Sequence, residues 1–277
     1  MRLGGPIFGK PGSPSAWVAA VRAKGYRAAY CPVAIEDPPE LARLYQRAAV
    51  ESDIVIAEVG AWCNPLGPDI VARKAAVVRC KRSLELAERI GARCCVNIAG
   101  SRGAKWDGPH PDDLSGEAFD DVVASVQDIV DAVSPQVTRY TLETMPWMHP
   151  DAPDSYLRLI RSIDRPGFAA HLDPVNLVNC PTRFFRNRVL LRECFSKLGP
   201  HLRSVHAKDI ALADRLTVHL DEVRPGTGGL DWATFLREMS RLDADLPLML
   251  EHLPDESEYD LAAAHIRQVA AENDIKL

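Results

Sequence analysis

Thr138-Arg139-Tyr140-Thr141-Leu142-Glu143, Phe168-Ala169-Ala170-His171-Leu172-Asp173, Leu202-Arg203-Ser204-Val205-His206 and Leu246-Pro247-Leu248-Met249-Leu250-Glu251 are four short apolar runs. Each ends on a residue that can bind a hard metal ion. In a (β/α)8 barrel one strand, its helix and two loops take roughly 31 residues, about 250 shared over eight units. The steps from 143 to 173 and from 173 to 206 match one such unit each, and the longer step from 206 to 251 predicts an insertion. Residues at the carboxyl ends of barrel strands share one mouth, where this fold carries its chemistry.

Working outward, strand-like and helix-like segments alternate along the whole chain, which favours a parallel sheet. Helices are predicted at 15–24, 38–50, 70–90, 116–133, 154–163, 183–198, 232–242 and 259–273, with Gly25 and Gly91 as left-handed stops. Strands are predicted at 3–8, 26–31, 53–59 and 94–98, before the four runs quoted above. An alternating piece, Leu216-Thr217-Val218-His219-Leu220, marks the insertion. The segment from Ala99 to Ser115 is a long loop, and loops of that length usually form lids or bind substrate. A doubly wound open sheet would place G-x-G-x-x-G after an early strand, and Gly4-Gly5-Pro6 with Gly9 and Gly12 does not fit it. The expected architecture is an α/β protein, a single (β/α)8 TIM barrel, with residues 1–277 as one domain.

Composition narrows the function. The 277 residues are 47% apolar and 26% charged, with a formal net charge of −5. These are globular values, and the acidic balance gives no basic footprint for nucleic acid or an anionic membrane. Seven cysteines without a C-x-x-C pair suit reduced thiols. With no apolar signal core at the start and no run of eighteen apolar residues, a cytoplasmic protein is expected.

Three carboxylates and one imidazole, Glu143, Asp173, His206 and Glu251, form an oxygen-rich set. It suits Mn²⁺, Mg²⁺, Co²⁺ or Fe²⁺ better than a structural zinc site, with Zn²⁺ kept as an alternative. Strand alternation puts Lys208 on the face of His206 and His171 on that of Asp173 but one layer deeper, where it would hydrogen-bond rather than ligate. Lys208 would hold a substrate oxygen or pair with a carboxylate such as Asp209. Trp62, Trp106 and Trp147 fall in loops after strands, where one is expected to present its flat apolar face to a bound ligand. Lys105 and His110 lie in the long loop, and His149 in a loop near the same mouth. Arg183, Arg186 and Arg188 read as a solvated helix face. The turn Gly226-Thr227-Gly228-Gly229 precedes Asp231, which would repel a phosphate.

The phrases His171-Leu172-Asp173-Pro174-Val175-Asn176, Val205-His206-Ala207-Lys208-Asp209, Pro225-Gly226-Thr227-Gly228-Gly229-Leu230-Asp231 and Leu250-Glu251-His252 resemble the xylose-isomerase-like barrels grouped as sugar phosphate isomerases and epimerases, ketose 3-epimerases among them. The likeness is clearest over Thr138 to Leu253. It implies that Glu143, Asp173, His206 and Glu251 bind one divalent metal, Mn²⁺ first among the candidates. It also implies that Glu143 and Glu251 exchange the substrate proton. Asn176 stands where several ketose epimerases carry histidine, and its amide can hydrogen-bond a hydroxyl but cannot titrate.

The expected activity is therefore isomerisation or epimerisation of a keto-sugar through a metal-stabilised enediolate. The alternatives are a lyase or decarboxylase acting on a 3-keto-glycoside or oxo sugar acid with the same site, and a non-catalytic sugar-binding subunit. The resemblance further implies a dimer or tetramer. DNA-repair relatives of the endonuclease IV type need extra histidines for three metals. Strands two and three here end at Cys31 and around Glu58 to Asn64 without histidine.

Overall fold

Barrel closure begins at the amino terminus, where β1 (Arg2–Gly5) lies between two parallel neighbours in the computed structural model, which describes residues 1–277. The chain continues through α1 (Pro14–Ala23), β2 (Ala28–Ala29), α2 (Pro39–Glu51), β3 (Val55–Ile56), β4 (Glu58–Gly60), α3 (Ile70–Ile90) and β5 (Cys94–Asn97). Then come α4 (Gly116–Val133), β6 (Tyr140–Glu143), α5 (Pro153–Ile163), β7 (Phe168–Leu172), α6 (Pro181–Phe185), α7 (Asn187–Leu198) and β8 (Leu202–Ala207). A hairpin of β9 (Asp209–Leu212) and β10 (Leu220–Val223) precedes α8 (Trp232–Met239), β11 (Pro247–Leu250) and α9 (Glu256–Glu272).

The sheet runs β3-β2-β1-β11-β8-β7-β6-β5-β4, with parallel pairing throughout. Only Ala57 separates β3 from β4, so both ends of that order belong to one bent barrel strand and the ring closes. This is the expected (β/α)8 TIM barrel. Crowding inside it explains Gly4, where a side-chain carbon would stand 2.4 Å from the Ala28 carbonyl oxygen.

Local chemistry sets the helix limits. Asp69 caps α3 by accepting the Ala72 N–H at 2.7 Å, and Gly91 ends it at a φ of 73°. Ser115 and Asp255 cap α4 and α9 in the same manner. No helix is long and apolar enough to cross a membrane. All seven cysteines are free.

Two sequence expectations are corrected. The helix predicted over 183–198 is broken at Arg186, because Asn187 reaches across to another loop. Its side-chain nitrogen donates to the Phe184 and Gly229 carbonyls and its oxygen accepts the Asp231 N–H. The alternating run 216–220 is mostly loop, and the inserted strands are antiparallel partners at 209–212 and 220–223. Alternation of side chains there reflects no buried face, since Leu216 is fully exposed.

Asp209, next to the His206 strand, anchors the insertion. Its buried carboxylate accepts N–H bonds from Ile210, Gly226 and Leu230 and from the Trp232 indole, at 2.9 to 3.0 Å. It does not pair with Lys208. The Gly226–Asp231 turn is thereby fixed from below by a carboxylate.

Candidate active site

Four strands deliver Glu143, Asp173, His206 and Glu251 to one place, each near a carboxyl end: β6, β7, β8 and β11. One ligand-type atom from each lies within 4.8 Å of the other three. Side chains on neighbouring strands converge this way because inward-facing positions alternate along each strand. Between β7 and β8, Ala170 pairs with Leu202 but the next residue, His171, pairs with Ser204. That extra residue on β8 is a bulge, a device that re-aims side chains beside functional sites.

Backbone ties hold each group. The Tyr156 hydroxyl, fully buried, accepts the Leu142 and His171 N–H groups and shares its proton between the Leu142 and Ala169 carbonyls, clamping β6 to β7. Thr144 exchanges two bonds with the Asp173 backbone, at 2.7 and 2.9 Å. Asp173 Oδ1 accepts the Val175 and Asn176 N–H groups, which leaves Oδ2 facing the cluster. Asn176 donates its amide N–H groups to Glu143 Oε1 at 3.2 Å and to the Thr144 carbonyl at 3.1 Å. Its nitrogen is therefore committed to Glu143, and only its oxygen is free for a ligand.

The cluster's spacing suits a divalent ion. For an octahedral ion with oxygen ligands at about 2.1 Å, adjacent ligand atoms stand about 3.0 Å apart and opposite ones about 4.2 Å. His206 Nδ1 lies 2.9 Å from Glu251 Oε2, 3.2 Å from Glu143 Oε1 and 4.0 Å from Asp173 Oδ2. Two buried oxygens, Asp173 Oδ2 and Glu251 Oε2, receive no hydrogen bond. Lys208 Nζ approaches them at 2.8 and 2.7 Å, as a charge contact outside hydrogen-bonding geometry. Unmet oxygens aimed at a shared point, with an imidazole nitrogen beside them, could hold a metal.

Electrostatics match that reading. Burial alone would lower the Lys208 pKa, but Asp173, Glu143, Glu251 and Glu222 around the ammonium outweigh it and hold the pKa well above the usual lysine value. Burial opposes charge on His206 as well, and Glu251, Glu58 and Glu143 override it and raise the imidazole's pKa. Glu251 is held well below the carboxylate range against its own burial, by His206 and then Lys208. The centre is a cage of negative charge closed by one ammonium.

Above the cluster opens a cleft of about 510 Å³. Trp62, Trp106 and Trp147 all line it, with Lys105, Asn176, Lys208, Glu143 and Glu251. The Trp147 indole donates to the Asp107 carbonyl at 3.0 Å, tying the loop after β6 to the long loop after β5. That loop has no helix or strand of its own between β5 and α4. Lys105, at its tip, pairs with Asp107 and is largely exposed.

Other expected residues lie elsewhere. His110 sits outside the cleft lining and faces Asp112. His149 is buried against Phe119 and does not reach the cleft. Arg183 bonds the Leu177 carbonyl and Arg188 bonds Asp231, and neither lines the cleft.

Charged or titratable residues at the cleft and its floor, Glu222, His252 and Glu58, escaped the sequence reading. Glu222, on β10 of the insertion, stands 3.5 Å from Lys208 Nζ, and His252 lies 3.3 Å from Glu222 at the rim. Glu222 looked like one more polar residue of an irregular insertion, so nothing in its spacing singled it out. Glu58 had a visible signal, a carboxylate inside the apolar run Ile54 to Val59, and lies beneath the cluster against His171 and His206. His171 takes the deeper position expected of it.

A closed parallel barrel with a buried carboxylate and imidazole cluster at its carboxyl-end mouth defines a class of barrel proteins whose site could hold a metal ion. The sequence matches the family model for the xylose isomerase-like TIM barrel over residues 18–269, and the chain belongs to that family. Comparison with curated proteins finds no match. Among solved structures, the chain resembles D-psicose 3-epimerase from Clostridium cellulolyticum, determined with D-tagatose, at 13% identity and a TM-score of 0.70 over 100% of both chains. A xylose isomerase-like TIM barrel protein from Mycobacterium smegmatis, in complex with magnesium, is 14% identical with a TM-score of 0.67, covering 98% of this chain and 97% of that one. Endonuclease IV from Thermus thermophilus is 17% identical with a TM-score of 0.69, covering 98% and 100%. At these identities the likeness is one of fold.

Proposed function

We propose that the protein is a divalent-metal-dependent sugar isomerase or epimerase acting on a keto-sugar or a derivative of one. The observation that carries this reading is the convergence of Glu143, Asp173, His206 and Glu251 under a tryptophan-walled cleft. The name of the psicose epimerase structure supports the substrate class, and the magnesium complex supports the ion. A divalent ion held by those four residues would act as a Lewis acid toward a substrate carbonyl, and Mn²⁺, Mg²⁺ or a related ion suits the oxygen-rich set.

The chain's own residues supply the rest. Glu143 and Glu251 both line the cleft, and each has a carboxylate oxygen available to take or return a proton at the carbon beside the carbonyl. Asn176 holds Glu143 by its oxygen Oε1, which leaves Oε2 for proton transfer. Lys208 Nζ, already among carboxylates, offers an N–H to the oxygen on which negative charge develops as the substrate enolises. Trp62, Trp106 and Trp147 give flat apolar faces for the C–H side of a sugar ring and exclude water from the mouth. Glu222 and His252, across the rim, would select hydroxyl patterns.

The test is solvent deuterium incorporation into a panel of ketoses and keto-glycosides, with metal-loaded protein. Exchange at one carbon, lost in Glu251→Gln, is expected. Absence of exchange from every substrate would refute the reading, and release of water or carbon dioxide in place of an isomer would convert it to a lyase or decarboxylase.

A further inference from the structure

We infer that Glu58 is the positioning residue that fixes the ring of His206, so that Nδ1 presents its lone pair to the proposed metal position. The inference rests on the metal reading above but concerns a residue that lies outside the cleft lining and is not one of the four residues Glu143, Asp173, His206 and Glu251.

Glu58 stands on β4, across the barrel interior from β7 and β8, and is only 1% exposed. An ionised carboxylate is costly in such a place unless its oxygens are fully occupied. Both are. Oε1 accepts the Ser204 hydroxyl and faces His171 Nε2 at 3.0 Å, and Oε2 faces His206 Nε2 at 3.3 Å.

A carboxylate can only accept. Both imidazoles must therefore place an N–H at Nε2, and a neutral His206 has no remaining proton for Nδ1. Nδ1 is the atom 2.9 Å from Glu251 and 3.2 Å from Glu143. The opposite tautomer would set a lone pair against Glu58 and an N–H into the metal position. His171 completes the support. Its backbone N–H is held by Tyr156, and its ring packs edge-on to His206 with centroids 4.2 Å apart. His171 and Ser204 thus occupy Glu58 Oε1, and Glu58 Oε2 keeps His206 in place.

The arrangement predicts what each member does when changed. Glu58→Leu removes the only acceptor for His206 Nε2, and Glu58→Gln leaves one acceptor oxygen where two imidazoles compete. Ser204→Ala disturbs the same buried network but leaves the His206 contact. Outer partners of metal-binding histidines typically change metal affinity about 10- to 100-fold.

Mn²⁺ titration by calorimetry, on protein freed of metal with a chelator, reads the affinity. Ring nitrogen NMR of ¹⁵N-histidine protein loaded with Mg²⁺ reads the tautomer. Expected are one ion per wild-type chain, affinity about 10- to 100-fold weaker in Glu58→Leu, a smaller loss in Glu58→Gln, and near wild-type binding in Ser204→Ala. His206 should show its proton at Nε2 in wild type and lose that single form in the Glu58 variants. If Glu58→Leu does not fold, Glu58→Gln carries the same two readouts. Unchanged affinity and tautomer in a Glu58 variant overturn the inference while the metal reading stands. Two ions per wild-type chain also overturn it, since Glu58, His171 and His206 would then be ligands themselves. No ion bound by wild type overturns the metal reading and this inference together.

Discussion

Replacing Lys208 with methionine tests whether the ammonium and a divalent ion serve the same carboxylates. Lys208 is 1% exposed in its side chain, and its Nζ faces Asp173 at 2.8 Å, Glu251 at 2.7 Å, Glu222 at 3.5 Å and Glu143 at 3.7 Å. Methionine fills much of the same space without charge, so the loss is electrostatic. Removing one partner of a buried ion pair costs about 3–5 kcal/mol because the other charge is left uncompensated. Against a typical total stability of about 5–15 kcal/mol, the metal-free variant should be severely weakened. A bound divalent ion neutralises the same oxygens, and it no longer competes with an ammonium. Each tenfold by which the variant binds the ion more tightly than wild type returns about 1.4 kcal/mol under saturating metal. Urea denaturation with chelator and again with excess Mg²⁺ measures both gaps. The expected result is a large difference between variant and wild type without metal, and a much smaller one with it. An identical difference under both conditions would show that Lys208 and the ion act at separate places, and the reasoning would fail.

The other predictions concern catalysis, binding, packing and pH. Glu143→Gln and Glu251→Gln should each lower the rate of solvent exchange into substrate by about 10²- to 10⁴-fold, the usual worth of a positioned acid or base. Trp106→Ala should raise KM by roughly twofold to tenfold with little change in kcat, since an aromatic contact contributes about 0.5–1.5 kcal/mol. Steady-state kinetics on whichever keto-sugar exchanges deuterium would check both. Asp209→Asn should destabilise the protein by about 2–6 kcal/mol, measured by urea denaturation: an amide nitrogen in place of Oδ2 accepts from neither Gly226 N–H nor Trp232 Nε1, and each of the two unmet buried donors costs about 1–3 kcal/mol. Glu88 accepts the N–H groups of Gln136, Val137 and Thr138, and against its partial burial these bonds lower its pKa. Its stabilisation is therefore complete above the unfolded-state carboxylate pKa and is lost as pH falls through the lowered folded value. Glu88→Gln should flatten the acid limb of the stability curve.

Much of this molecule was legible in its letters. Barrel strands ending on Glu143, Asp173, His206 and Glu251 declare themselves because a strand repeats every two residues and a barrel unit repeats at near-constant length. Long helices such as Ile70–Ile90 and Gly116–Val133 were readable to the residue, since Asp69, Gly91 and Ser115 act on the adjacent backbone. The break at Arg186 was not, because Asn187 answers to a loop some forty positions away in sequence, through Gly229 and Asp231. Glu222 was hidden for the same reason: an inserted hairpin brings it to the mouth beside His252, and insertion geometry has no period.

Sequence alone therefore determined the architecture and the residue types that meet at the mouth, a set that could hold a metal ion. These follow from periodicity and donor chemistry, which are properties of short stretches. Only the folded chain decided that Lys208 faces Asp173 and Glu251 and not its neighbour Asp209, that Asn176 commits its amide to Glu143, and that Glu58 stands behind His206. Those pairings join adjacent strands, or in the case of Glu58 and His206 cross the barrel, between segments far apart along the chain. A side chain's partner there is set by ring closure and by the bulge on β8, which no local pattern encodes.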